Sequence, residues 1–183
     1  MRWGPSCEEL VSRQDIRPGD IVLDCGGYKG EYTEALLEQH DVQVIILEPQ
    51  REFYELCRKK FEGNERVLVF DYGLGRKTET RPFYLGERKD SASIYEGRAY
   101  KKTGEISVKI RNAQEFFEEF NCHVAKFNIE GAEYDILDVL TYQPREILLQ
   151  FHNIKDYSRK DYRNRFDSYR KIYLGRHWEI WRL

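Results

Sequence analysis

Apolar and polar positions along the chain alternate in blocks that predict strands followed by helices. The apolar runs DIVLDCG and VQVIILEP each precede a segment with apolar residues at helical spacing, EYTEALLEQH and REFYELCRKKFEGN. Further strands are predicted at RVLVFDYGLG, HVAKFNIE and REILLQFHN, with the helix AEYDILDVL between the last two. Strands that alternate with helices pair in parallel through right-handed crossovers, so we predict an α/β fold with a doubly wound, mostly parallel sheet.

Two regions depart from this alternation. Residues 76–111 hold the short segments RPFYLG, SASIY and EISVKI, which predict an antiparallel insertion. Residues 154–183 predict a helix and then one terminal strand, HWEIWRL, because aromatic residues recur at helical spacing before that strand, at Tyr162, Phe166, Tyr169 and Tyr173. Residues 1–18 are predicted as a helical lead-in, and the whole chain, 1–183, as one domain with a shortened C-terminal strand region.

The C-terminal region also bears on partners. If no further strand covers HWEIWRL, its aromatic residues form an open sheet edge, so a homodimer is considered. Basic side chains outnumber acidic ones from Lys155 to Leu183, which keeps nucleic acid open as a partner. The helical spacing of the aromatic residues favours a packed helix over that reading.

Composition narrows the class of protein. Charged residues make up 34% of the chain, but the formal net charge is only -2, so no overall field attracts nucleic acid or membrane. No run of residues approaches the length of a membrane span, and the first residues lack the apolar core of a signal peptide, so a soluble, cytoplasmic protein without membrane association is expected. The cysteines are far apart and form no C-x-x-C pair, so neither a zinc site nor a disulfide framework is predicted. A divalent metal held by Asn128, Glu130 and His152 is conceivable but disfavoured, because their spacing matches no familiar ligand motif and an amide is a poor charge partner.

The stretch VLDCGGYKGEYT, Val22–Thr33, holds the most specific chemistry in the first half of the chain. Asp24, Gly26 and Gly30 form D-x-G-x-x-x-G between a strand and a helix, where the backbone can turn tightly and a ligand can approach it closely. Cys25 stands where a dinucleotide fingerprint would need glycine, which disfavours NAD.

Glu48 ends the second predicted strand, at the spacing where an acid accepts hydrogen bonds from ribose hydroxyls. Asp24 is interpreted as the partner of a cationic amino group. A ligand with a ribose, an amine and no pyrophosphate predicts S-adenosylmethionine as the cofactor. The alternative is a tight turn followed by an exposed glutamate.

The chain resembles the FkbM-type methyltransferases, a branch of the class I S-adenosylmethionine-dependent, Rossmann-like fold. The resemblance runs from about Gly19 to His152 and rests on VLDCGGYKGEYT, ILEPQREFYELC, DYGLG, SASIY, VKIRNAQEFFEEF and above all KFNIEGAEYDIL. It implies cofactor binding by Asp24, Gly26, Gly27, Gly30 and Glu48, with Asp71 near the adenine. Tyr28 flanks the same turn, where an aromatic ring would attract the sulfonium.

The chain departs from the family pattern at several places. Asn128 stands where the family usually has Asp, and Gln150 where Glu is frequent. The class I fold usually ends with an antiparallel hairpin, and only one terminal strand is predicted here.

Candidate catalytic residues lie at the ends of the fourth and fifth predicted strands. Asn128 and Glu130 share one face of their strand, as Gln150 and His152 do, and the pairs converge if the strands are neighbours. His152 is predicted to be the base, because the ordinary pKa of a histidine lies near cellular pH. Glu130 is predicted to orient His152 or to bind acceptor hydroxyls. The structural alternatives are a hydrogen-bonded strand-end histidine and a carboxylate that caps a helix start.

The leading functional hypothesis is a methyltransferase that uses S-adenosylmethionine. The resemblance implies transfer to oxygen, on a hydroxyl of a carbohydrate or another small-molecule acceptor. Asn128 and Gln150 motivate a second hypothesis, a binding module that has lost the chemistry. The basic C-terminal region motivates a third, a methyltransferase directed to RNA.

Overall fold

The structure, a computed structural model, describes residues 5–88, 92–98, 101–152, 154, 166–173 and 178–183. The helices within these residues are α1 (Cys7–Ser12), α2 (Glu31–Gln39), α3 (Arg51–Lys60), α4 (Ala113–Phe120) and α5 (Glu133–Val139). The strands are β1 (Ile21–Cys25), β2 (Gln43–Leu47), β3 (Val67–Phe70), β4 (Tyr72–Gly75), β5 (Glu79–Gly86), β6 (Lys102–Asn112), β7 (Val124–Phe127), β8 (Glu146–Gln150), β9 (Arg170–Tyr173) and β10 (Trp178–Arg182).

The main sheet has the strand order β3-β2-β1-β7-β8-β10-β9. Its first five strands in that order, β3, β2, β1, β7 and β8, pair in parallel. β10 runs antiparallel to both of its neighbours, β8 and β9. The predicted α/β fold with a mostly parallel sheet is therefore confirmed. The order reverses between β1 and β7, and the crevice outside the carboxyl ends of strands at such a reversal is where α/β sheets bind ligands.

Helices cover both faces of this sheet. Successive residues of a strand point to opposite faces, and in the central strands the residues on both faces are apolar. Val22, Val44 and Ile46 pack on one face with α1, α2 and α3. Leu23, Ile45 and Phe127 pack on the other face with α4 and α5. Strands buried on both faces read as continuous apolar runs, which is why β1, β2 and β7 were recognisable in the sequence.

A second, three-stranded sheet has the order β4-β6-β5. β4 pairs with β6 in parallel and β5 pairs with β6 antiparallel, so most of this sheet falls in residues 76–111, the predicted antiparallel insertion. Its apolar face, formed by Phe83, Val108 and Ile110, packs in one cluster with Ala92 and Ile94 from the segment between β5 and β6 and with Ala132 at the start of α5. This packing places the second sheet beside the carboxyl ends of the main strands.

The prediction of one terminal strand, and with it of a shortened C-terminal region, is wrong. β9 and β10 pair antiparallel, and Tyr173 lies in β9 rather than in a helix. Tyr162 and most of the predicted helix lie outside the described residues. Phe166 and Tyr169 are buried as the pattern required, with Phe166 stacked on Trp181 at 4.6 Å, but they pack from a short turn. Pairing with β10 overrides the helical spacing of the last aromatic residue.

The terminal strand is also not an open edge. β10 lies between β8 and β9, and Trp178, Ile180 and Trp181 are buried. The sheet edges are β3 and β9. The aromatic edge that motivated a homodimer is therefore absent from the described residues.

None of the helices described is both long and apolar enough to cross a membrane.

Candidate active site

A cavity of about 300 Å³ lies at the carboxyl ends of β1, β2 and β7, with the second sheet along one side. This volume is at the lower end of the range for small-molecule sites, about 300–1,000 Å³. It is lined by Cys25, Gly26, Tyr28, Glu31, Leu47, Glu48, Pro49, Gln50, Gly73, Leu74, Phe83, Ala92, Ile94, Ile110, Asn128, Ile129, Glu130 and Ala132. Of the predicted site residues, Gly26, Tyr28, Glu48, Asn128 and Glu130 are therefore brought to one cavity.

The glycine turn after β1 is held against the neighbouring strand ends. The backbone N–H groups of Gly26 and Gly27 both donate to the carbonyl of Leu47, at 3.0 and 3.2 Å. Gly26 has φ +82°, and a Cβ atom there would lie 2.2 Å from the carbonyl oxygen of Asn128. Only glycine fits between β1 and the segment that follows β7.

Gly27 and Gly30 lie outside the cavity lining and serve close packing instead. A Cβ on Gly27 would lie 2.3 Å from Ile46 Cγ2, and one on Gly30 would lie 2.7 Å from Phe61 Cε2. Gly30 also starts α2 with φ +73°. These two glycines let the turn and α2 approach β2 and α3.

Glu48 is buried at the end of β2, with both carboxylate oxygens aligned by backbone groups. Oε2 accepts from the N–H of Tyr28 and Oε1 from the N–H of Gln50, each at 2.9 Å. Burial raises the pKa of Glu48 to about 7, against the effect of these two hydrogen bonds. Each oxygen retains a free lone pair, so the carboxylate can also accept hydrogen bonds from a ligand. Glu48 is therefore not the exposed side chain of the structural alternative.

Asp24 faces a protein amine, in contrast to the interpretation that it meets a ligand amine. Its Oδ1 accepts from Lys126 Nζ at 2.7 Å and its Oδ2 from Thr33 Oγ1 at 2.8 Å, in a fully buried position. Lys126 also donates to the carbonyl of Gly26 at 2.8 Å. The charge of Asp24 is thus compensated inside the protein, and the pair of Asp24 and Lys126 holds the glycine turn against the sheet.

Tyr28 borders the cavity in a left-handed conformation, with φ +49°. Its ring packs on Phe53 at a centroid distance of 4.3 Å, and Lys29 Nζ lies 5.0 Å from the same ring. A ligand cation and Lys29 would compete for this ring. The prediction that Tyr28 faces a sulfonium stays a prediction.

Asp71 lies outside the cavity lining. Its Oδ2 accepts from Lys109 Nζ at 2.8 Å, between β3 and β6, and more than a third of its side chain is exposed. The residues after the third strand that do border the cavity are Gly73 and Leu74.

Glu130 and His152 are neighbours, and a third residue, Glu133, completes a row. His152 Nε2 lies 3.1 Å from Glu130 Oε1, and its Nδ1 lies 3.1 Å from Glu133 Oε1. Glu133 also accepts from the N–H groups of His152 and Gly131, at 2.7 and 2.8 Å. The convergence predicted for the ends of strands four and five, now β7 and β8, is thus observed for Glu130 and His152.

The environment of His152 argues against the predicted role as base. Burial would lower the pKa of this histidine, but hydrogen bonds to Glu130 and Glu133 outweigh it and raise the pKa from 6.5 to about 9. An imidazolium with each ring nitrogen facing a carboxylate has no lone pair to take a proton. His152 is also not part of the cavity lining, whereas Glu130 and Asn128 are.

Glu130, His152 and Glu133 do not share one common point at which all three could bind an ion, since the imidazole stands between the two carboxylates. Across the described residues, no group of three or more His, Cys, Asp or Glu side chains is arranged to hold a metal ion.

Sequence reasoning missed Lys126 and Glu133. Lys126 is the charged residue in the otherwise apolar strand VAKF, and a lysine in such a strand needs a buried carboxylate, so a signal was present. The register pairs it directly with Asp24. Glu133 gave no such signal, because an acid in the first turn of a helix is ordinary.

Comparisons with known proteins agree with this fold. An rRNA methylase from Streptococcus thermophilus is 12% identical and covers 93% of this chain and 89% of its own, with a TM-score of 0.52. An S-adenosylmethionine-dependent methyltransferase from Aquifex aeolicus is 14% identical and covers 96% and 87%, with a TM-score of 0.49. A cyclopropane synthase from Mycobacterium tuberculosis is 15% identical, with a TM-score of 0.45; the match takes in 79% of this chain but only 40% of that one. No curated protein sequence matches the chain.

The strand order is that of the class I methyltransferase fold. The model of the FkbM methyltransferase domain matches residues 24–174. The chain therefore belongs to the FkbM methyltransferase family, and its cofactor is S-adenosylmethionine.

Proposed function

We propose that the protein transfers a methyl group from S-adenosylmethionine to a hydroxyl oxygen of a carbohydrate or another small molecule. The observation that supports this most directly is the distribution of carboxylates along the cavity. Glu48 lies at the β2 end and Glu130 at the β7 end, on either side of the glycine turn. A ligand that fills the cavity would therefore contact Glu48 at one end and Glu130 at the other.

The residues present fit the cofactor. Glu48 would hold the ribose hydroxyls, because it lines the cavity and each of its oxygens can accept a further hydrogen bond. Gly26 and Tyr28 would border the cofactor, since both line the cavity. When bound, S-adenosylmethionine supplies an electrophilic methyl group on a sulfonium.

Glu130 is the residue proposed to act on the acceptor. A hydroxyl must lose its proton as its oxygen forms the new bond to carbon, and Glu130 is the carboxylate at the β7 end of the cavity. Asn128 borders the same end and would orient the acceptor. These residues align the reacting groups and exclude water, which is most of what an in-line displacement needs from a protein.

His152 is proposed as a positioning residue rather than the base. Its protonated ring holds Glu130 through Nε2, and Glu133 holds the ring through Nδ1. Glu130 itself has φ +53°, a backbone conformation that few residues other than glycine adopt. The carbonyl of Glu130 accepts from Ser93 Oγ at 2.6 Å, which helps to keep this conformation.

The proposal predicts how Glu130→Gln changes catalysis. Without a carboxylate the acceptor proton has no base, so the rate of S-adenosylhomocysteine formation over a panel of hydroxyl acceptors should fall about 100-fold or more. The affinity for S-adenosylmethionine should stay within about twofold, because Glu48 lies at the other end of the cavity. Glu118→Gln, an exposed glutamate on α4, is the control and should keep the wild-type rate.

Three outcomes would count against the proposal. A Glu130→Gln variant with the wild-type rate would remove Glu130 from the mechanism. A wild-type protein that binds the cofactor and forms no S-adenosylhomocysteine with any acceptor would favour the binding module. Retention of RNA that weakens with salt, together with methylation of that RNA, would favour the RNA-directed alternative.

A further inference from the structure

One edge of the main sheet, at β3, carries exposed apolar side chains. Leu68 in β3 is 50% exposed, and Leu56 in α3, the helix that contacts β3, is 45% exposed. Among the described residues, Leu183 is the one other large hydrophobic residue that is exposed. β3 reads Val-Leu-Val-Phe and contains no charged residue. An uncharged apolar strand at a sheet edge is of the kind that pairs with another chain.

The opposite edge of the sheet differs in charge. β9 begins with Arg170 and Lys171, and both are exposed. Charged side chains on an edge strand discourage pairing with a further strand. Of the two edges, β3 is therefore the one that suits an additional strand.

The backbone of β3 is directed for such pairing. The carbonyls of Arg66 and Phe70 accept from N–H groups in and just after β2, at 2.8 and 3.1 Å. Backbone groups alternate in direction along a strand, so the N–H and C=O of Val69 point away from β2 and toward the open edge.

The outer side of α3 faces the same edge. Phe61, at the end of this helix, lies against Gly30 at the start of α2, so that side of α3 faces α2. Leu56 lies about 140° around the helix from Phe61 and therefore faces away from α2. Two exposed charged residues flank Leu56, Glu52 one turn before it and Lys59 one turn after it.

We infer that this surface, here called the β3 edge and formed by β3 with Glu52, Leu56 and Lys59 of α3, binds a second copy of the chain. The two copies are related by a two-fold axis perpendicular to the sheet. Such an axis places each β3 antiparallel to the other and each α3 antiparallel to the other, so one surface supplies both halves of the contact. The inference is independent of the proposed function.

The residues of β3 select one register. Val69 lies opposite Val69 of the second copy, and the two exchange both backbone hydrogen bonds. Leu68 then lies opposite Phe70 of the second copy, which covers its exposed side chain. The neighbouring register, with Leu68 opposite itself, would set Glu65 opposite Asp71 and is disfavoured because like charges repel.

The helices fit the same axis and explain why the partner is a second copy. Paired strands lie about 4.8 Å apart, and helices that cover the two edge strands then come within the 8–10 Å, roughly, of packed helices. Leu56 meets Leu56 of the second copy. Glu52 of each copy lies beside Lys59 of the other, so the charges of the surface are complementary to themselves.

Sedimentation equilibrium of the full chain measures this association. The chain has a mass of 22.0 kDa, and the average mass of the wild type should approach twice that value as the concentration rises to about 100 μM. A wild type that stays monomeric throughout would overturn the inference.

Variants locate the contact. Leu68→Lys puts a charge into it, and Val69→Pro removes an outward N–H while the ladder to β2 stays intact. Each should raise the dissociation constant at least about tenfold, with the urea midpoint of each variant showing that it folds. Leu183→Lys is the matched control, an exposed leucine that follows β10, and should leave association unchanged. Equal losses in Leu68→Lys and Leu183→Lys would contradict the β3 edge.

Charge reversal on α3 tests the two-fold arrangement and does not alter β3. Glu52→Lys and Lys59→Glu each set like charges opposite one another and should weaken association about threefold or more. The double variant restores both pairs and should return to the wild-type dissociation constant. A double variant that associates no better than the single variants would overturn the antiparallel contact of α3.

Discussion

Asp24 and Lys126 show how a buried charged pair can support a ligand site without touching the ligand. Both side chains are almost fully buried, and the register places them opposite each other on β1 and β7. Lys126 continues to the carbonyl of Gly26, so the pair links the sheet to the glycine turn. Breaking a buried pair leaves an uncompensated charge, whereas replacing both partners does not.

A double-mutant cycle tests this coupling. Lys126→Met and Asp24→Asn should each lower the free energy of unfolding by about 3–5 kcal/mol, and the double variant by clearly less than their sum, with a coupling of about 1–3 kcal/mol in urea titrations. The exposed pair Lys60 and Glu34, 3.0 Å apart, is the control and should couple by less than about 1 kcal/mol. Additive effects at Asp24 and Lys126 would contradict the link.

His152 should make stability fall at alkaline pH. Because its pKa is raised from 6.5 to about 9, the stabilisation is complete below pH 6.5 and is lost as pH rises through 9. The full loss is about 3 kcal/mol. The raised pKa of Glu48, about 7, acts at lower pH, so the interval between 7 and 9 reports mainly on His152.

Urea titrations across that interval provide the measurement. His152→Gln should flatten the decline, because its amide does not titrate. His40→Gln, at the C-terminal end of α2, should keep the wild-type slope. A slope that His152→Gln leaves intact would show that the ring is not held as a cation between Glu130 and Glu133.

At the scale of elements, the turn between β1 and α2 carries the closest backbone contacts of the site. Gly26 and Gly19 have nearly the same backbone conformation, φ +82° and +81°. A Cβ on Gly26 would meet Asn128, but one on Gly19 would meet nothing within 4 Å. The two positions therefore separate the cost of the conformation from the cost of the contact.

Replacement by alanine uses this match. Gly19→Ala should lose about 1–2 kcal/mol of stability from the left-handed conformation. Gly26→Ala should lose more than that, because its Cβ would also lie 2.2 Å from the carbonyl oxygen of Asn128. Only Gly26→Ala should also weaken binding of S-adenosylmethionine, by about tenfold or more, since it displaces the turn from the end of β7. Equal cofactor affinities in the two variants would show that the turn tolerates the displacement.

Elements with strong patterns were predictable and those fixed by tertiary pairing were not. The spacing of Asn112 and Glu115 is typical of a helix start, and the Oδ1 of Asn112 does accept from the N–H of Glu115 at 3.0 Å, where α4 begins. The helix expected up to Tyr173 failed because β9 is held by pairing with β10, which no local spacing reveals. The partners of Asp24 and His152 depend in the same way on strand register and on α5.

At the scale of the whole molecule, the switch in strand order determines where the chemistry lies. β1, β2 and β7 bring Gly26, Glu48 and Asn128 to one edge of the main sheet. The second sheet adds its apolar face to one side of the cavity and is anchored on α5 through Asp135. The doubly wound fold could be predicted from alternating strand and helix patterns. The second sheet could not be predicted in full, because its parallel strand, β4, was not expected to belong to it.

The account rests on the cavity being the cofactor site, and calorimetric titration of S-adenosylmethionine into the protein tests it most directly. Wild-type protein and Glu38→Ala, an exposed residue of α2, should bind one cofactor per chain with equal affinity. Glu48→Ala should bind about 10- to 100-fold more weakly, because it loses hydrogen bonds to a carboxylate. Absence of binding by the wild type, or equal affinity in Glu48→Ala, would contradict the account.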